Sequence, residues 1–259
     1  MGFLLRAIGV PFIGASLLLP AHTQLLQKAD PTTTQTAKEP RHKLVPDFCQ
    51  RDTRFGPLPK NACGPVAASN LLIYLNNTGF PNLLSKENPG PEDQAKLINL
   101  LSSDKYMKLD KETGVSPYNL MTGLNQYVTD RNYKIDIEYI GYQVDQIDKE
   151  QNLNGGENIT PKIIEAKLKQ GSECILRIGY YKDNARVDGH YGTVVGLKEG
   201  NPHKILIHDP SKSSGLEKRQ DLWELTKDKN KWQVSGVVNA YPGETVYLDG
   251  VIVFKVSEK

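Results

Sequence analysis

Cysteine is scarce in this chain: three residues in 259, at positions 49, 63 and 174. That is too few for a disulfide-stapled scaffold, which relies on several cross-links to replace a large core. An odd number also leaves at least one thiol unpaired. If Cys49 and Cys174 pair, the free one is Cys63; three reduced thiols fit the sequence equally well. Charge of one sign is missing too. The 32 Lys and Arg and 30 Asp and Glu are scattered, giving a formal net charge of +2, with no basic block interleaved with aromatics. Nucleic acid is therefore not expected as a partner. His22, His42, His203 and His208 have no Cys or carboxylate at zinc-ligand spacing, so no metal or other cofactor is expected. No apolar run reaches the roughly 20 residues of a membrane span. No internal repeat or second linker divides the chain, which reads as one domain.

What is present is ordinary for a soluble globular protein: 38% hydrophobic and 24% charged residues, at a length that can bury a sizeable core. The N-terminus stands apart. Arg6 is followed by the apolar, small-residue run Ala7 to Leu19, interrupted by Pro11, and then by Pro20, Ala21, His22, Thr23 and Gln24. A charged start, a short apolar stretch and a small-residue exit form a secretory signal. Residues 1–24 are thus expected to be a signal peptide directing the protein to the periplasm or the exterior, with an uncleaved membrane anchor or a structural helix of the domain as the rival readings. After cleavage no stable membrane span is expected. Residues 25–43 are polar, with Pro31, a threonine cluster and Pro40, and read as a flexible linker. The folded domain is expected over 44–259.

Its first half has helical spacing. Apolar residues recur at Val66, Ala67, Leu71, Tyr74 and Leu75 behind Cys63. Pro91-Glu92-Asp93, Ser116-Pro117 and Pro161 open three more helices, the last ending at Gly171. The second half reads as strands: Glu173–Tyr181, Tyr191–Leu197, Lys204–His208, Val234–Ala240, Thr245–Leu248 and Val251–Val256, with an extra one at Ile135–Ile140. Asp249-Gly250 predicts a hairpin turn between the last two strands. Helices followed by strands give an α+β fold with an antiparallel sheet.

Three segments carry chemistry. A thiol attacks a carbonyl well only as a thiolate, which a helix N-terminus and a histidine partner both favour. In Asn61-Ala62-Cys63-Gly64-Pro65, the glycine permits a tight turn and the proline presets the first helical turn, so Cys63 falls at a helix start. A small core residue on a helix would read the same way. His190, in Gly189-His190-Tyr191-Gly192, starts a strand between glycines that let another segment approach. Asp209, before Pro210, ends the next strand. A hairpin across Lys198–Pro202 would set that end beside His190, where a carboxylate can orient the imidazole. His208 should point to the opposite face. Trp223 and Trp232 are expected in the core or the cleft wall.

Taken in chain order, Gln50, Cys63-Gly64-Pro65 opening a helix, Gly189-His190-Tyr191 opening a strand, and Asp209-Pro210 resemble the bacteriocin-processing (double-glycine leader) peptidase family of the papain-like superfamily. The likeness runs from Val45 to Pro210. It implies a papain-like cysteine peptidase fold, its N-terminal helical part carrying the nucleophile helix against an antiparallel β-sheet. It also implies a Cys63/His190/Asp209 triad, with Gln50 and the Cys63 N–H as oxyanion donors. Val45 to Gln50 resembles the family's strand ending in glutamine, and Gly114 to Leu120 the helix after the nucleophile segment. Gln50 precedes Cys63 by thirteen positions, more than in compact members, so Arg51 to Lys60 must loop out. Without the membrane and ATPase parts of transporter-linked members, the chain resembles a free-standing exported relative. The implied activity is hydrolysis of peptide bonds in a peptide or protein substrate. The same residues could serve acyl transfer or deamidation, and a catalytically silent peptide-binding module is the reading from another class.

Overall fold

The computed structural model describes residues 40–144, 148–149, 153, 159–211, 221–237 and 240–259. The expected signal peptide and residues 25–39 of the expected linker lie outside them. By its contacts the chain divides into Met1–Lys38 and Glu39–Lys259, and all of the described secondary structure belongs to the second unit.

Its fully described helices are α1 (Arg41–Leu44), α2 (Cys63–Thr78), α3 (Pro91–Leu101), α4 (Pro117–Asp130) and α5 (Pro161–Lys169). The last three begin on proline, where the missing N–H belongs to an unpaired first turn in any case. Ser116 and Thr160 cap α4 and α5 by accepting the N–H groups of Asn119 and Ile163. Asp93 accepts the Gly90 N–H at the start of α3. The short α1 falls where the linker was expected. Its Arg41 finds a partner in the buried Glu173 and lies over the Tyr74 ring at 4.5 Å, which fixes this turn to the domain.

Among the described residues, seven strands form one antiparallel sheet: β1 (Tyr133–Gly141), β2 (Glu173–Lys182), β3 (Ala185–Lys198), β4 (Asn201–His208), β5 (Asp221–Asp228), β6 (Lys231–Ser235) and β7 (Thr245–Glu258). Their order is β1-β7-β2-β3-β4-β5-β6, and β6 returns to β7 through Gln233 opposite Tyr247. The sheet therefore curls round on itself. One core lies between it and the helices, built from Leu71, Leu72, Leu120 and Leu124 against Tyr191, Val195, Ile252 and Phe254. A second lies within the curl, around Leu176, Val194, Ile207 and the fully buried Trp223. Alternation along β2 and β3 explains the split, since neighbouring residues of a strand face opposite sides. The outcome is the α+β arrangement expected, with nearly every residue of α2 buried at its centre.

Four local expectations differ from the structure. Asp249-Gly250 is not a turn, and β7 runs straight through it. The ladder opposite Arg177 and Ile178 jumps from Gly250 to Leu248, so Asp249 is the extra residue of a bulge. Its carboxylate is buried and accepts from Tyr181 Oη and Arg186 Nε, each at 2.8 Å, while Gly250 leaves room for the Tyr139 ring. Second, β3 starts at Ala185, before His190, because Asp183 and Asn184 take left-handed φ values of 50° and 65° and close a tight β2–β3 hairpin. Third, β6 occupies Lys231–Ser235 and overlaps the expected Val234–Ala240 only at Val234 and Ser235; residues 238–239 lie outside the described residues. The chain leaves the strand at Gly236 (φ 86°), and β5 was not foreseen at all. Fourth, Val45–Gln50 is not a strand and lies outside the sheet, since β4 already has β3 and β5 on its two edges.

Gly250→Ala would press a methyl group into the Tyr139 hydroxyl, 2.5 Å from the ring Cζ. We expect a loss of about 1–3 kcal/mol in chemical denaturation. Gly196→Ala, whose new methyl would meet only Leu206 Cδ1 at 3.6 Å, should cost less.

Candidate active site

Cys63 is the first residue of α2. Ala62 before it offers no side-chain cap, and the first backbone bond of the helix runs from Val66 N to Ala62 O. The leading N–H groups and the positive end of the helix dipole therefore gather around the sulfur. Asn61 sets this geometry by adopting φ 58° and donating its amide to the carbonyls of Lys111 and Glu112, each at 3.0 Å. Its own carbonyl lies 4.0 Å from Cys63 Sγ. Gly64 is required by crowding: a Cβ there would overlap Val115 Cγ1 and stand 2.9 Å from Leu120.

His190 reaches the same place from β3. Its Nε2 lies 2.7 Å from Asp209 Oδ1, and both side chains are buried. The β3–β4 hairpin brings them together, with Thr193 opposite His208 and Asp209 one residue further. Asp209 Oδ1 also accepts from the backbone N–H of Ser211 at 2.9 Å and from its hydroxyl at 2.8 Å. Burial works against a charged imidazole, but the charge and hydrogen bond of Asp209, followed by the hydrogen bond and charge of Cys63, outweigh it and carry His190 up to about 10. Burial likewise opposes ionisation of Asp209; His190 and Ser211 overcome it and hold the carboxyl below its ordinary range. With Nε2 committed to Asp209, Nδ1 is the ring nitrogen left for Cys63.

Gln50 joins by a different route. Its backbone N–H donates to Pro210 O at 2.8 Å, and four residues earlier Pro46 O bonds His208 Nδ1 at 3.0 Å. The segment is thus stitched to the end of β4. Residues between Gln50 and Cys63 turn back through Asp52, and Phe55 and Leu58 pack on a small core formed by Phe48, Ala62, Val66, Ala95 and Ile98. This loop accommodates the long spacing. The Gln50 amide oxygen is buried with no hydrogen-bond partner.

Gln50, Cys63 and His190 line a cleft of about 880 Å³. The four residues singled out from the sequence are therefore brought together, Asp209 directly behind His190. His208 does not join them, as its turn toward Pro46 requires. Among the described residues, no group of three or more His, Cys, Asp and Glu side chains could hold a metal ion. None of the described helices is long and apolar enough to cross a membrane. All three cysteines are free and buried; burial first, and the neighbouring Glu173 charge second, push Cys174 up to about 12, so it is an inert thiol.

Other residues around the site escaped the sequence reading. Ser211 completes an Asp-Pro-Ser turn, which could have been read from its spacing. Tyr180 lines the cleft from β2 and is kept protonated by burial and by the charges of Asp209, Asp188 and Cys63. Val187, the extra residue between the Tyr180–Asp188 and Tyr181–Arg186 pairs, also lines it and is 52% exposed. No protein-family model matches this chain, and no curated protein does.

The pair's contribution to stability has a defined pH window. His190 is raised, so its share is complete below the unfolded histidine value of about 6.5 and disappears as pH climbs toward 10. Asp209 is lowered, so its share is lost as pH falls below about 4. The stability gap between wild type and Asp209→Asn, measured by urea unfolding, is expected to peak between about pH 4.5 and 6.5 and to shrink on both sides.

Proposed function

We propose that this protein is a thiol peptidase of papain-like type, in which Cys63 attacks a peptide carbonyl, His190 carries the proton and Asp209 orients His190. The observation that carries this reading is the convergence of a helix-start cysteine on a buried imidazole already bonded to a carboxylate at 2.7 Å. A histidine that served only packing would not need a buried anion behind it, since burying a charge costs several kcal/mol unless it is paired.

The steps follow from the positions. The sulfur forms a bond to the carbonyl carbon, and the π electrons move to oxygen. The Gln50 side-chain amide and the Cys63 N–H are the donors at hand for that oxyanion. The intermediate collapses as the C–N bond breaks, and the imidazolium gives its proton to the departing amine. Water then attacks the thioester, passing a proton back to the imidazole, and releases the acid and free Cys63. Asp209 holds the ring through Nε2, and Ser211 holds Asp209. The substrate is a peptide or unfolded protein segment able to enter the cleft. The N-terminal signal pattern supports export as the setting in which this activity works.

With a reduced, carboxymethylated protein as substrate, Cys63→Ala is expected to fall to background release of new amino termini, and His190→Ala to lose at least about 100-fold. Gln50→Ala should lower kcat by about 100-fold with little change in KM. Wild-type rates in both Cys63→Ala and His190→Ala would reject the proposal.

A further inference from the structure

Away from the cleft, four polar side chains are buried where α2, α3 and β3 meet. Ser69, Asn70 and Thr193 are fully buried and Gln94 is 3% exposed. Gln94 Nε2 donates to Ser69 Oγ at 3.0 Å and to Asn70 Oδ1 at 2.6 Å. Asn70 Nδ2 donates to Thr193 Oγ1 at 3.1 Å, and the Thr193 hydroxyl donates onward to Ala67 O at 3.2 Å. Ser69 Oγ closes the group by donating to Val66 O at 2.8 Å. Leucine or valine would fill this volume without leaving a donor or acceptor to satisfy, so the group is not explained by core packing.

Its placement is informative. Asn70 lies seven residues after Cys63 on α2, about 10 Å along a helix rising 1.5 Å per residue. Thr193 lies three residues after His190 on β3, again about 10 Å at the rise of a strand. Between the two ends, a Cβ at Gly64 would lie 3.4 Å from the Tyr191 ring, so the helix and strand stay in contact along this length. Thr193 also stands opposite His208, the residue before Asp209, and His208 holds the Gln50 segment through Pro46. One hydroxyl thus fixes the helix bearing the nucleophile to the strand bearing its base, level with the strand bearing the carboxylate. Apolar contacts alone would let α2 slide along β3 by a fraction of an ångström; directional bonds do not.

We propose that the buried Asn70–Thr193 hydrogen bond, braced by Gln94, is a positioning device that sets the register of α2 on β3 and so the separation of Cys63 from His190. Thr193 and Asn70 touch no substrate and act through the pair they align. This rests on the peptidase reading for its catalytic consequence, but the geometric claim can be read without it. A misplacement near 1 Å at reacting atoms costs about 100-fold in rate, so a smaller slip should cost on the order of 10-fold.

The test compares Thr193→Val, which keeps the shape and removes the hydroxyl, with Thr193→Ser, which keeps the hydroxyl. The rate of Cys63 alkylation by iodoacetamide is followed from pH 5 to 9, and the His190 ring titration by ¹⁵N NMR. Expected for Thr193→Val are a native circular dichroism spectrum, alkylation slowed by on the order of 10-fold at pH 6, a displaced pH profile and a displaced His190 titration. Thr193→Ser should stay within about 2-fold of wild type on the same grounds. A folded Thr193→Val with wild-type profile and titration overturns the proposal, as does Thr193→Ser failing to rescue. If Thr193→Val does not fold, Asn70→Leu, which is similar in size and can neither donate nor accept, is read by the same criteria. A wild-type Cys63 no more reactive than a free thiol would sink the peptidase reading, whereas the His190 titration would still decide the clamp.

Discussion

A carboxylate and an imidazole held at 2.7 Å, both out of water, tolerate little freedom in the backbones that carry them. The His190–Asp209 pair sets that demand, and much of the surrounding structure meets it. The β3–β4 ladder places the two residues on neighbouring strands. Ser211 occupies the carboxylate oxygen that faces the ring, through its N–H and its hydroxyl, so the anion is bound from two directions. The Pro46–His208 and Gln50–Pro210 bonds then tie a segment from far along the chain to the end of β4. Charges buried in this way are tolerated only when paired and hydrogen-bonded; Asp209 Oδ1 takes bonds from the His190 ring, the Ser211 N–H and the Ser211 hydroxyl, while Oδ2 is buried without one.

Much of this was legible in the sequence. The starts of α2, α3, α4 and α5 followed from Cys-Gly-Pro, Pro-Glu-Asp, Ser-Pro and Pro161, because proline and caps act within one turn. His190 and Asp209 could be placed together because a hairpin obeys a register that can be counted. The failures share a physical cause. Asp-Gly is a turn signal only where both residues are free to leave the ladder. At Asp249, long-range partners on β2 and β3 claim the carboxylate, and the dipeptide becomes a bulge. Tyr139, over a hundred residues earlier in the sequence, takes the space that Gly250 leaves. The start of β3 was missed because Asp183-Asn184 lacks the glycine of the usual turn signal, although both residues adopt the left-handed conformation. Asn70 and Thr193 carry no local pattern at all: their relation exists only once α2 lies on β3.

The Asp249 bulge also bears on the cleft. Arg186, which lines it, is held by Asp249 from behind, and the guanidinium occupies the space a side chain at residue 189 would need. The β2–β3 hairpin is thereby anchored to β7 just before the chain reaches His190. Tyr181 donates to the same carboxylate from the other arm of the hairpin. A buried anion in the last strand thus stiffens the wall that the candidate base rises from.

The strand at the hub of the sheet is β7, and it comes last along the chain. β1 and β6 meet one of its edges and β2 the other, with Tyr133 opposite Glu258 and Glu173 opposite Phe254. During synthesis from the N-terminus, β1, β2 and β6 must therefore wait for this one before the curl can close. The contacts it makes are distant in sequence, which slows folding. If Cys63 has the reactivity proposed for it, that delay keeps the wall behind His190 incomplete until the whole domain has emerged. The chain order itself would then limit how early a reactive thiol could meet other proteins.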